Sequence, residues 1–87
     1  MSLPSYVTFY KNNIKVCSEF INVGWFISGD RLLQEIIKAT HSKKLNLSEW
    51  DIASAYDMKI PQSDLILFTE KSVESKRFFE NKYGYPW

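Results

Sequence analysis

The spacing of apolar residues changes period along the chain, and the changes divide it into elements. Tyr6-Val7-Thr8-Phe9-Tyr10 is β-branched and aromatic, as strands prefer. Lys11-Asn12-Asn13 follows as a turn, because asparagine tolerates positive φ. Ile14 to Phe20 then alternates apolar and polar until Phe20. Two such runs about a short Asn-containing turn predict a β-hairpin. Strict alternation places Ile14, Val16 and Ser18 on one face and Lys15, Cys17 and Glu19 on the other. A third apolar run, residues 21–27, extends the sheet or adds a third strand, and Gly24 within it marks a bulge or bend.

Ser28-Gly29-Asp30 interrupts this pattern and opens a helix, with Ser28 or Asp30 as its cap. Leu32, Leu33, Ile36, Ile37 and Thr40 recur at helical spacing and define one apolar face, while Gln34, Glu35, Lys38 and His41 face outward. The helix is expected to reach about residue 41. After a polar connector, Ser48 with Glu49 and Asp51 reads as the start of a second helix, stapled by Leu47 on Ile52. It carries Trp50, Ala53, Ala55, Tyr56 and Met58 and ends before Pro61, since the residue preceding proline is driven out of helical geometry. Asp64-Leu65-Ile66-Leu67-Phe68 is short enough to favour a buried strand, with a helix as the alternative. Thr69 then caps a third helix that runs through Phe78, Phe79 and Tyr83 to Gly84, leaving the tail Tyr85-Pro86-Trp87. The predicted fold class is α+β: a small antiparallel sheet, made of the N-terminal hairpin of two or three strands plus a later strand, packed by about three helices.

The chain has 87 residues, which makes 1–87 a single domain of modest stability. Eleven Lys and Arg against ten Asp and Glu leave a net charge of +1, which sets it apart from dedicated nucleic-acid binders and from acidic mimics of DNA. One cysteine, Cys17, excludes an internal disulfide and suits a reducing compartment. No run approaches the length of a membrane span, and no charged region followed by an apolar core opens the chain. A cytoplasmic location without membrane association is expected.

Catalytic and metal chemistry find few residues to use. His41 and Cys17 are each the sole representative of their type, short of the four ligands of a structural zinc site, and the acids lack calcium-loop spacing. A Cys17 thiolate would need a base or a positive field, and nothing in the spacing brings His41 to it. Glu49 and Asp51 point to different faces of a helix, so capping accounts for both. Gly24 and Gly29 are isolated and make no phosphate loop. No cofactor and no catalytic residue is assigned. An enzyme here would have to use Cys17, Asp64 or a tyrosine in a concave pocket.

Residues 48–68 bear a motif. A small residue (Ala53 or Ala55), a turn, the apolar Ile60 and the polar opening Pro61-Gln62-Ser63 resemble the helix-turn-helix of small repressors. The resemblance covers about a fifth of the chain. It departs from the family at the turn, where Asp57 or Lys59 replaces glycine, and in residues 62–70, which hold two carboxylates and no cation. It implies a nucleic-acid-binding regulator, and basic residues that gather at the end of the first helix and on the C-terminal helix supply its candidate nucleic-acid contacts, Lys43, Lys44, Lys71, Lys76 and Arg77. Interspersed Glu70, Glu74 and Glu80 favour reading the last three as a mixed-charge solvated face.

The aromatic load outweighs these signals. Three Trp, five Tyr and six Phe are more than one small core comfortably encloses. Tyrosine and tryptophan bring large rigid areas with a polar tip to protein interfaces. Tyr6, Tyr10, Trp25, Tyr83, Tyr85 and Trp87 are therefore the candidate contact residues, together with the backbone of an unpaired first strand. The sequence predicts a non-enzymatic protein-binding module that acts by stoichiometric association. It would be an inhibitor, an immunity-type protein or an accessory factor, either free or as a homodimer.

Overall fold

The computed structural model describes residues 2–24, 28–71 and 76–84, with backbone alone for 2–5 and 22–24. Its elements are β1 (Ser2–Lys11), β2 (Ile14–Gly24), α1 (Gly29–Ser42), β3 (Ile52–Ala55), β4 (Met58–Pro61), α2 (Gln62–Lys71) and α3 (Lys76–Tyr83). The four strands form one antiparallel sheet in the order β2-β1-β3-β4. The fold is α+β, as the sequence predicts.

The first hairpin turns on Asn12 and Asn13, with φ of 52° and 65°. A two-residue type I′ turn needs two such left-handed residues, and its twist matches that of the strands. Pairing runs from Lys11 opposite Ile14 to Ser2 opposite Gly24, so residues 21–24 prolong β2 rather than form a third strand. The rest of that apolar run, 25–27, lies outside the described residues. Between Phe9 and Tyr10 the register slips: Phe9 faces Cys17 but Tyr10 faces Lys15, leaving Val16 as a bulge. The extra residue inverts the alternation. Lys15 shares a face with Tyr10, whereas Cys17 and Glu19 share the opposite face with Phe9 and Val7. Unbroken alternation, which groups Lys15 with Cys17, fails at this point.

The second helix expected from residue 48 is absent. Asn46–Glu49 closes a turn through Glu49 N–H to the Asn46 carbonyl (3.0 Å) and Asn46 Nδ2 to Glu49 Oε1 (3.0 Å). Residues 52–61 then form a second hairpin, turning on Tyr56 and Asp57 with φ of 54° and 62°. Alanine favours helix locally, but Ala53 and Ala55 are buried on alternate positions of β3, where they join the core. Tertiary packing overrides propensity here. Pro61 ends β4 at the strand-to-helix junction, where its missing N–H removes no central ladder bond. Residues 64–68 are helical, inside α2, with Leu65 and Phe68 buried one turn apart. Thr69 is interior to that helix, where its hydroxyl donates to the Ile66 carbonyl at 2.7 Å, and the next helix begins at Lys76.

Val7, Phe9, Ile21, Ala53, Ala55 and Ile60 point from the sheet into one core with Leu32, Leu33, Ile36, Ala39, Trp50, Leu65, Phe68, Phe79 and Tyr83. Trp50 tilts against Phe9 with ring centroids 5.3 Å apart. Gln62 fastens the connector above it by donating to the Leu47 and Trp50 carbonyls. Helix α1 opens at Ser28, whose Oγ accepts from the Arg31 N–H at 3.1 Å. It closes with Lys44 in the left-handed region (φ 57°), Lys44 N–H bonding to the His41 carbonyl and Leu45 N–H to Thr40, the Schellman pattern.

Gly29 lets α3 lie against the start of α1. A β-carbon there would stand 2.1 Å from the Phe79 carbonyl oxygen, and its N–H donates to Glu80 Oε2 at 3.1 Å. Gly29→Ala is expected to separate the two helices and cost about 1–3 kcal/mol, as overpacking does, measured by urea denaturation. Asp57→Gly is expected to do the reverse. Glycine removes the left-handed strain of the second turn, and a gain of roughly 0.5–1 kcal/mol should raise the thermal midpoint by a few degrees.

Candidate functional site

Among the described residues the helices cover one face of the sheet and no element covers the other. Register sets the uncovered face out in three rows. Phe20 and Tyr6 stand side by side across β2 and β1. Next come Ser18, Thr8, Ser54 and Lys59 across all four strands. Last come Lys15, Tyr10, Ile52 and Pro61. Tyr6 is 61% exposed and Phe20 49%, although their rings meet edge-to-face at 5.7 Å. Two large rings held by rigid strands, already paired with each other, lose little conformational freedom on contact.

Tyr10, Asn13, Ile52, Ser54 and Lys59 line a recess of about 230 Å³ on this face. Lys15 and Lys59 are the only charged side chains in the three rows. Neither is in an ion pair among the described residues. The nearby carboxylate of Asp51 already accepts from the Asn12 N–H at 2.9 Å. The edge beside the face belongs to β2, eleven residues long and last in the sheet. The first strand, expected to be the unpaired one, is instead interior: β1 pairs with β2 along its length and with β3 at residues 8–10.

Of the six sequence-predicted contact aromatics, Tyr6 and Tyr10 lie on this face. Tyr83 does not. It is buried, and its phenol donates to Asp64 Oδ2. Trp25, Tyr85 and Trp87 lie outside the described residues. Phe20, Asn13, Ile52, Ser54 and Lys59 were not singled out from the sequence. Phe20 only broke an alternation, and the last three were assigned to a helix that does not form. The cations assigned to nucleic acid are dispersed. Lys43 bridges Glu19 at 3.3 Å, Lys44 sits in the closing turn of α1, Lys71 ends α2, and Lys76 and Arg77 open α3. Residues 48–68, a hairpin followed by a helix, do not form a helix-turn-helix. Cys17 is half-buried against the core on β2, and His41 is exposed in the last turn of α1. No three His, Cys, Asp or Glu side chains gather as metal ligands among the described residues, and no helix there is long and apolar enough to cross a membrane.

Among the described residues, Asp64 is the centre of the one perturbed cluster. Lys82 Nζ reaches the same Oδ2 at 2.6 Å, tying α3 to α2. Burial pushes the Asp64 carboxyl up, but the hydrogen bonds from Lys82 and Tyr83 and the Lys82 charge together hold it below its ordinary 3.8. Burial, and then the bond to Asp64, push the Tyr83 phenol well above its ordinary 10.0. Both shifts run away from neutrality, whereas a general acid or base works best with a pKa near the ambient pH. The cluster is a tie between helices.

The chain matches no protein-family model, no curated protein and no solved structure.

The tie predicts how stability depends on pH. A depressed carboxyl contributes stability above its unfolded pKa and loses it as pH falls through the folded value. A raised phenol contributes below its unfolded pKa and loses it as pH rises through the folded value. Unfolding free energy is therefore expected to fall in acid below the ordinary 3.8 and in base above the ordinary 10.0. Chemical denaturation across pH checks this, and Asp64→Asn should flatten the acid limb.

Proposed function

We propose that this chain is a non-enzymatic protein-binding module that docks a partner on the uncovered face of its sheet. The observation that supports the reading is the Phe20–Tyr6 row. Exposed aromatics on rigid strands, with half-buried Tyr10 and Ile52 beyond a hydroxyl row on the same face, are the composition of an interface centre. Hydroxyl side chains of Ser18, Thr8 and Ser54 supply hydrogen-bonding groups between the two apolar rows.

A protein suits this face better than nucleic acid. Phosphate backbones are held by many cations at once, and two lysines on an otherwise neutral face neutralise few phosphates. Arg31 and Lys38 of α1 lie 3.3 and 3.4 Å from Glu35, Lys43 just after that helix bonds Glu19, and Lys82 bonds Asp64, so these cations are already engaged. A different protein suits it better than a second copy. Two-fold face-to-face pairing would set a surface carrying only lysines against itself, and like charges at an interface are unfavourable.

Affinity capture followed by titration with the purified partner tests this reading. Phe20→Ala and Tyr6→Ala are each expected to weaken binding by roughly 10–100-fold, the range of aromatic anchor residues. Because both rings are exposed, each change should alter folding stability by less than about 1 kcal/mol. Binding unchanged in the double variant would contradict the reading. So would a tighter, steeply salt-dependent complex with a 15-nucleotide single strand.

A further inference from the structure

The recess beside Tyr10 has a chemistry of its own. Ile52 and Tyr10 bring apolar surface to its lining. Asn13 and Ser54 bring groups that donate hydrogen bonds, and Lys59 brings a positive charge that makes no ion pair among the described residues. No carboxylate among the described residues stands within ion-pair distance of Lys59: Asp51 accepts from the Asn12 amide, Asp64 from Lys82 and Tyr83, and Glu19 pairs with Lys43 on the opposite face. Lys59 belongs to β4, opposite Ser54, so ammonium and hydroxyl rise from the same row of the sheet.

We infer that this recess accepts an acidic side chain of the docked partner, a glutamate or aspartate whose carboxylate meets Lys59 and the Asn13 and Ser54 donors while its methylenes lie on Ile52 and Tyr10. The inference rests on the protein-binding reading and adds the partner's chemistry: an acidic segment. A carboxylate complements the unneutralised charge, and its two oxygens take several donors at once. A lysine or arginine would meet like charge there, and a wholly apolar side chain would leave the donors without acceptors. Lys15, at the far end of the next row, extends the same preference along the face.

The probe is a capped pentapeptide, Thr-Glu-Val-Glu-Thr, beside its counterpart with glutamine in place of glutamate, titrated into the full chain and followed by amide NMR shifts. The glutamate peptide is expected to shift Tyr10, Asn13, Ser54 and Lys59 and to saturate at millimolar concentration. The glutamine peptide should bind at least five-fold more weakly. Lys59→Gln should remove that difference and Lys59→Arg should restore it, with thermal midpoints unchanged, since Lys59 is exposed. Added salt should weaken the glutamate peptide more than the glutamine one. Equal binding of the two peptides, shifts elsewhere on the chain, or no shifts at ten millimolar would overturn the carboxylate site. None of these would touch the Phe20 and Tyr6 result, which decides the docking face separately. A ten-nucleotide thymidine strand that shifts the same amides at lower concentration than the peptide would overturn both.

Discussion

Everything in this molecule follows from one hydrophobic layer placed on one side of one sheet. Val7 and Phe9 of the interior strand, Ala53, Ala55 and Ile60 of the second hairpin, and Leu32, Leu33 and Ile36 of the first helix meet there without solvent. Burying each large side chain contributes about 1.5–3 kcal/mol. Because side chains alternate along a strand, committing one set to this layer commits the other set to the opposite face. The helices are spent on the first face. The second face, with Phe20, Tyr6, Tyr10 and two lysines, is the direct geometric consequence.

How much of this the sequence discloses depends on whether local preference and tertiary packing agree. They agree in β1, in the paired asparagines of the first turn and in the helical spacing of α1, while β2 keeps its strand character and loses its alternation only at Val16. They disagree in residues 48–61. Ser48, Glu49, Ala53 and Ala55 spell helix by themselves, yet residues 52–61 form a hairpin that puts Ala53 and Ala55 into the core. Tyr56 and Asp57 occupy a turn normally announced by asparagine and glycine, so its signature is missing. Residues 64–68 are too short for their period to be read, and only their burial one turn apart reveals the helix.

The uncovered face was only partly legible in place. An excess of aromatic residues implies that some rings stay outside the core, and Tyr6 and Tyr10 are two of them. Phe20 joins them because the bulge at Val16 resets which residues of β2 face outward, a one-residue event that no pattern of alternation reports. Lys59 and Ser54 enter only once the second hairpin is known. Tyr83 illustrates the converse: its ring lies in the core and its hydroxyl finds Asp64, so a tyrosine that reads as interface serves as a tie between helices.

Hydroxyl-radical footprinting of the side chains, with and without the captured partner, tests the uncovered face most directly. Phe78 on α3 is 52% exposed and remote from the three rows, so it serves as the internal standard. In the free protein Tyr6 and Phe20 should label about as readily as Phe78, and in the complex they should be protected while Phe78 is not. Tyr6 and Phe20 unreactive in the free protein, or protection falling on Phe78 instead, would contradict the account.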